Sequence, residues 1–521
     1  MFWTDRVVTE IKQHLAKKIA SGEALTVRDE KTASGRVHVG AMRTVSIHGL
    51  IAHVLKEHNI QNVFRYEIND FDAFDTVPSY VPSSFDEHLG KPLSMVPSPQ
   101  EGSENYARFF GEQYLEVVRG LGIEPEVYYS SEQYKAGKYN DAIKVALENA
   151  DKIREIYKKV SGGEKEGEWL PIMMICESCG KVATTRPVES NGEQVAYVCD
   201  LEASGAKGCG YEGKASPFDG NAKLPWKVEW AAKFKVFSVD VEGEGKDLAT
   251  KGGARDVANH ISREVFKYEP PYDVPHEFFL IGGKKMSTSK GTGASAVEVN
   301  ELMPRKIFML ALIGKEPKRA FDFDPQGNTL PLLYDRYDEI AEKYWDKVGD
   351  DEARLYELVH LSDAPERYYR MRFSQVAFLA QMPHIDIFEE AQKEKGDDLN
   401  EIEKGELHER VDYALAWIKE HAPERYVFEL QEKLPEVVIT GVQKEAFRKI
   451  LEYVEANEEL TGEGFHQRLH EIKSQVNIDP KELFSGLYQV FLNRDSGPQA
   501  GWFLSVLPRD FLVTRLREIA T

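Results

Sequence analysis

The sequence predicts an α/β protein in which a parallel sheet is interrupted by a cysteine-bearing insertion and followed by a long all-helical region. Three observations carry this reading. Near the N-terminus a strand pattern, a turn of small residues, a helical pattern and a second strand follow one another, the order that begins a parallel sheet. The sheet's strand signals resume only beyond an insertion that holds all four cysteines. From about residue 300 onward the pattern is almost wholly helical. At 521 residues the chain exceeds one core, because cores stop growing near about 250–300 residues.

Residues 24–28 read as a strand, Thr32 to Gly35 as a turn, and 37–57 as a helix with Met42, Val45, Leu50, Ile51, Val54 and Leu55 on its apolar face. Residues 62–68 are the second strand. Residues 104–160 are mostly helical, and 170–215 read as short strands with turns around the cysteines. Strand patterns at 233–240 and 277–281 are expected to resume the same sheet. The segments expected are therefore 1–145 (first half of the sheet domain), 146–225 (insertion), 226–300 (second half), 301–360 (helical connection) and 361–521 (helical C-terminal region).

A hydrophobic content of 42% and a charged content of 29% describe an ordinary globular protein. The longest apolar run, 307–313, falls far short of the roughly 20 residues a membrane helix needs. The N-terminal stretch mixes charge through a helical pattern and lacks the apolar core of a signal peptide, so a cytoplasmic protein with no membrane partner is expected. A formal charge of −21 argues against indiscriminate nucleic-acid binding; any RNA contact must use local basic patches.

Two short segments carry phosphate chemistry. Ser34, Gly35, His38 and Gly40 lie where a small-residue turn enters a helix, so backbone N–H groups and the positive end of the helix dipole face one site. His38 can donate to a phosphate oxygen, and Gly40 lets the chain approach a nucleotide. The tripeptide alone equally suits a helix cap. The second segment, Gly283 to Gly291, places Lys284, Lys285, Ser287, Ser289 and Lys290 in a glycine-bounded loop after a strand. It reads as a basic clamp for phosphates or as a solvated loop. If both segments follow strands of one sheet, they face the same nucleotide.

The cysteines form a third constellation. Cys176 and Cys179, with two residues between them, can give two thiolates to one metal, and Cys199 and Cys209 complete a set of four, for which zinc is the best match. The alternative is four thiols in a strand-rich insertion. With all four ligands from protein, such a metal is structural.

The segment His38-Val39-Gly40-Ala41 resembles the first signature of class I aminoacyl-tRNA synthetases, and Lys285-Met286-Ser287-Thr288-Ser289 resembles the second. Asn69-Asp70-Phe71-Asp72, Val77-Pro78, Val81-Pro82, Trp226-Lys227-Val228-Glu229-Trp230, Gly245-Lys246-Asp247 and the opening Trp3-Thr4-Asp5 resemble blocks of the class I lysyl-tRNA synthetases, over roughly residues 1–320. The resemblance implies a Rossmann-type catalytic domain, activation of L-lysine by ATP with Mg2+, transfer to tRNA(Lys), a structural Zn2+ in the insertion and an anticodon-binding helical region, in a protein read as a monomer. It implies His38, Lys285 and Lys290 as catalytic residues. Ser34, Gly35, His38, Gly40, Lys285, Ser287 and Ser289 would bind ATP. Thr32, Asp70, Asp72, Trp230, Lys246 and Asp247 would bind the amino acid, with Asp70 facing the cleft and Trp230 forming an apolar wall or plain core. Trp417, Tyr426, Phe428, Phe484 and Tyr488 are candidates for base stacking, with helix core as the alternative.

Several positions depart from the family pattern. Ala41 replaces a polar residue, Thr288 a lysine, Leu248 a histidine and Glu30 a glycine. Arg28 lies where glutamate-specific relatives carry the arginine that meets the substrate carboxylate. A glutamyl-type synthetase and a synthetase-like RNA-binding protein without catalysis therefore stand as alternatives.

Overall fold

The computed structural model describes residues 1–165, 167–283 and 294–520. Its main sheet has five strands: β1 (Leu25–Thr32), β2 (Asn62–Asn69), β3 (Glu126–Tyr129), then Val241–Glu242 and Tyr272–Asp273. All neighbours are parallel, and the spatial order is Tyr272–Asp273, Val241–Glu242, β1, β2, β3. β1 pairs with β2 from Leu25↔Asn62 to Thr32↔Asn69 and with the later strand at Val27↔Val241. The chain thus builds outward from β1 in one direction, and returns after the insertion to build in the other. That reversal opens a crevice at the carboxyl ends of β1 and Val241–Glu242, where parallel sheets bind ligands.

The helix after β1 runs over Gly40–Glu57, three residues shorter than expected, because His38 is held as an extended bridge to Ser295. Its apolar face is buried as expected, and Arg43 is buried with it. The Arg43 guanidinium donates to the carbonyls of Leu312 (2.5 Å), Glu316 (2.9 Å) and Arg319 (3.0 Å), closing the open end of the helix Arg305–Ile313.

Three expectations need correction. The segment 233–240 is not a strand: a helix spans Trp226–Val236, and the sheet strand begins at Val241. Val228, Glu229, Trp230, Ala231, Ala232, Lys233 and Phe234 are all buried, so the helix has no polar face to reveal its period. The strand Phe279–Ile281 does form, but it pairs in parallel with Phe321–Phe323 in a separate two-stranded sheet. The second phosphate segment therefore does not follow a strand of the main sheet, while the region beyond 300 is almost wholly helical as expected, Phe321–Phe323 being its one strand among the described residues.

Within the insertion, Arg186–Ser190, Val195–Val198 and Glu212–Ala215 make a three-stranded antiparallel sheet, and Met173–Met174 pairs with Ala222–Lys223. The chain divides into two compact units, Met1–Phe323 with Glu339–Pro365, and Asp324–Asp338 with Glu366–Thr521. Most of the segment 301–360 thus belongs to the first unit. The second unit is helical, built on a core that includes Phe447, Ile450, Phe465, Leu469, Leu487 and Phe491. No helix among the described residues is long and apolar enough to cross a membrane.

Candidate active site

A cavity of about 430 Å³ opens at the crevice. Its walls come from the end of β1 (Asp29, Glu30, Lys31, Thr32), the start of the helix Gly40–Glu57, the end of β2, the helix Trp226–Val236, and the segment 242–248. Of the residues expected to bind ATP or amino acid, Thr32, His38, Gly40, Asp72, Trp230 and Asp247 line it.

Others do not. Asp70, expected to face the cleft, is buried and turned away: its carboxylate accepts from the Ser131 amide (2.7 Å) and hydroxyl (2.6 Å), at the start of the helix Ser130–Lys135. β2 ends at Asn69, so the alternation that assigned Asp70 a side no longer holds there. Lys246 is absent from the cavity wall, and its ammonium pairs with Glu277 at 2.6 Å. Ser34 and Gly35 also lie off the wall; the Ser34 carbonyl accepts from the Tyr106 hydroxyl at 3.2 Å. Lys285, Ser287, Ser289 and Lys290 lie outside the described residues. The chain on either side of them is placed. Gly283 donates to Asp322 at 2.8 Å, while Val39 donates to the Ala294 carbonyl (3.1 Å) and Ala296 to that of Val37 (2.8 Å). The far flank of the second segment is therefore hydrogen-bonded to the first.

The base of the cavity is a lattice of buried charges that the sequence does not announce. The Arg28 side chain is fully buried and donates to the Tyr128 hydroxyl (2.8 Å), Glu242 (2.6 Å), Glu67 (2.5 Å) and Glu30. Burial alone lowers its basicity; Tyr128 and the three carboxylates outweigh it and keep the guanidinium charged. Lys233 sits between Glu67 (2.7 Å) and Glu30 (2.8 Å), and Lys223 between Asp72 and Glu229 (3.3 Å). Burial raises the Asp72 carboxyl, but the Lys223 ammonium more than reverses this and holds it below its usual range. Glu30 is thus the shared partner of Arg28 and Lys233.

Trp230 is both wall and core. It is buried, lines the cavity, and donates its indole N–H to Glu242 at 2.5 Å. Glu244, two residues on, has its other side against Arg255 (3.0 Å) and is pushed up to about 9 by burial, with Asp273 and Glu242 adding to the shift. His276 donates or accepts at Thr44 (3.0 Å) and is pushed down to about 3 by burial.

In the insertion the four cysteine sulfurs lie within 4.8 Å of one another, with Cys176–Cys209 at 3.7 Å and Cys179–Cys199 at 3.8 Å. Two come from the turn before Gly180, and two flank the ends of the strands Val195–Val198 and Glu212–Ala215. Burial pushes the Cys179 thiol up to about 12, whereas a hydrogen bond from the Tyr211 backbone brings Cys209 down to about 7.

The lysine–tRNA ligase of Methanosarcina barkeri (strain Fusaro) is 32% identical over 540 residues, covering 99% of this chain and 97% of that one. That of Pyrococcus horikoshii is 32% identical over 532 residues, covering 99% of each. A solved glutamate tRNA ligase from Elizabethkingia meningosepticum is similar over 96% of this chain and 99% of its own, at 12% identity and a TM-score of 0.44. Residues 1–364 match the family described as tRNA synthetases class I (K), and with relatives of this length and identity the chain belongs to that family.

Proposed function

We propose that the protein activates L-lysine with ATP and attaches it to tRNA(Lys). The observation that carries this reading is the charge of the cavity wall. Asp29, Glu30, Asp72, Glu229, Glu242, Glu244, Asp247 and Glu277 line it, against the single lysine Lys31. Although several of these acids are paired with Arg28, Lys223, Lys233 or Lys246 and Glu244 holds a proton, their oxygens offer acceptors to a substrate's ammonium groups, whereas among the described residues of the wall only Lys31 offers a cation to a second carboxylate. Arg28, the residue that favoured glutamate, has its charge taken up by three carboxylates and does not face an incoming one. Trp230 offers an apolar surface for the methylene stem.

In the first step the lysine carboxylate attacks the α-phosphorus of ATP in line, a P–O bond forms, and pyrophosphate leaves with the broken bridging oxygen. His38 and the N-terminus of the helix Gly40–Glu57 line the cavity and would meet the charge that develops on the phosphates, with Lys31 on the same wall. The family resemblance assigns Lys285 and Lys290 to the same charge, with Mg2+ accompanying ATP. In the second step the terminal ribose 2′-hydroxyl of tRNA attacks the adenylate carbonyl and AMP leaves. The helical second unit would hold the anticodon.

The cysteine cluster fits structural zinc. A tetrahedron with Zn–S bonds of ~2.3 Å has edges of ~3.8 Å, and the closest sulfur pairs stand at 3.7 and 3.8 Å. All four positions are filled by protein, which leaves no open site for catalysis. The same reading places the protein in the cytoplasm.

A charging assay with purified tRNA and radiolabelled lysine or glutamate tests the proposal. Acid-precipitable lysine, and none with glutamate, is expected. Glutamate charging, or none with either, overturns it. The assay must contain tRNA, since relatives of this type often need it for the activation step.

A further inference from the structure

The cations beneath the cavity wall are spoken for. Arg28, Lys223 and Lys233 are each held by two or more carboxylates of the lattice. Lys31 differs from them: it lines the cavity, is half-buried, and makes no hydrogen bond or ion pair among the described residues. Burial weakens its ammonium, and the nearby Asp29 and Glu30 offset only part of that. The alternation of β1 decides which way it points. Arg28, Glu30 and Thr32 share one face of the strand, where Arg28 and Glu30 join the lattice and the Thr32 hydroxyl donates to Asp72 at 3.0 Å. Asp29 and Lys31 share the other. Asp29 stands 3.5 Å from His48 of the helix Gly40–Glu57, so this second face looks toward that helix. The cavity therefore has two sides. Asp72, Trp230 and Glu242 line the first; the start of the helix, Thr44 and Lys31 line the second.

We infer that Lys31 is a further catalytic residue, whose ammonium donates to the nonbridging oxygens of the α-phosphate of ATP. A triphosphate entering a wall of carboxylates is repelled unless a cation meets it. Lys31 and the positive end of the helix Gly40–Glu57 lie on one side, so the phosphates settle there and leave the acidic side to the amino acid. Lys31 also stands in the chain between Glu30 and Thr32, which face the amino-acid side. It thus marks the boundary across which the lysine carboxylate must reach phosphorus, and the phosphate at that boundary is the α. As the new P–O bond forms and pyrophosphate leaves, negative charge grows on the nonbridging oxygens, and an ammonium held there stabilises it with no proton transferred. The inference rests on the lysine-activation reading above and adds to it the cation that the described wall supplies.

The test compares the full-length protein with its Lys31→Met and Lys31→Arg variants in lysine-dependent exchange of labelled pyrophosphate into ATP, with tRNA present. Lys31→Met is expected to lower kcat about 100-fold, the scale of one lost transition-state donor, with lysine KM within about twofold of the parent. Lys31→Arg keeps the charge and should recover most of the loss. It should also carry activity to higher pH, because a half-buried ammonium gives up its proton before a guanidinium does. A purely structural role would not move that alkaline limb. An unchanged kcat in Lys31→Met overturns the inference. So does a raised lysine KM at unchanged kcat, which would put the ammonium on the substrate carboxylate, and so does an arginine variant as inactive as the methionine one at every pH. If Lys31→Met folds poorly by circular dichroism, Lys31→Gln is measured in its place. If the parent protein exchanges pyrophosphate with no amino acid, the activation reading fails and calorimetric titration with MgATP alone decides: binding about tenfold weaker in Lys31→Met is expected, and equal affinity refutes the assignment.

Discussion

Arg28 brings a full positive charge to a place where no water reaches it, and only Glu67, Glu242, Glu30 and Tyr128 keep it there. Removing one partner strands the rest: Glu67→Gln is expected to lower the unfolding free energy by about 3–5 kcal/mol in urea titration, and a loss below about 1 kcal/mol would show the lattice to be incidental. Asp70 and Asp72 separate two roles that their spacing makes look alike. Asp70→Ala should cost about 1 kcal/mol as a lost helix cap with lysine KM unchanged, whereas Asp72→Asn should raise lysine KM roughly tenfold. Glu244 gives a pH signature. Its folded carboxyl, pushed up to about 9 from an ordinary 4.5, holds a proton that the unfolded chain releases, so stability declines as pH rises between those values. Glu244→Gln should flatten that decline in melting curves taken from pH 5 to 9, and an unchanged slope would refute the assignment. None of Glu67, Glu242 or Glu244 stood out in the sequence, and Glu229 did so only as a member of the block Trp226–Trp230. A buried carboxylate has meaning only beside its cation, and these partners come from distant positions, as with Arg28 and Glu242.

Elements were legible where one face meets solvent or where small residues punctuate the chain. β1, the helix Gly40–Glu57 and β2 were read in the right order, with ends shifted by a few residues. The helix Trp226–Val236 was not, because burial on nearly all sides erases its period. The strand Phe279–Ile281 was visible but its partner Phe321–Phe323 was not, since pairing across some forty residues leaves no local trace. The convergence of the four cysteines was legible from the Cys176–Cys179 spacing and the grouping of all four between 176 and 209, and their sulfurs lie within 4.8 Å of one another beside three short antiparallel strands. Elemental analysis should find one zinc per chain. A strong chelator should release it and abolish the near-ultraviolet signal of the insertion's Tyr197 and Tyr211; retention of that signal after complete metal loss would show that the strands hold by themselves.

At the scale of the whole chain, two units with separate cores would divide the proposed recognition, small molecules in the first and the tRNA anticodon in the second. Calorimetry should therefore resolve two transitions, with a calorimetric enthalpy above the van't Hoff value. A single two-state peak would mean that the units unfold as one. Lysine is expected to shift only the transition that contains Trp230, by mass action on that unit.

The three-acid grip on Arg28 also bears on how such a protein changes over generations. Turning this cavity toward an acidic amino acid needs a cation facing inward, and the guanidinium is already there. Yet releasing it means discarding Glu30, Glu67 or Glu242 one at a time, and each intermediate leaves buried charges unmatched in a different way. Lineages starting from this arrangement face a valley and not a slope, so drift by single replacements keeps the amino acid that is charged the same while the surface around it diverges.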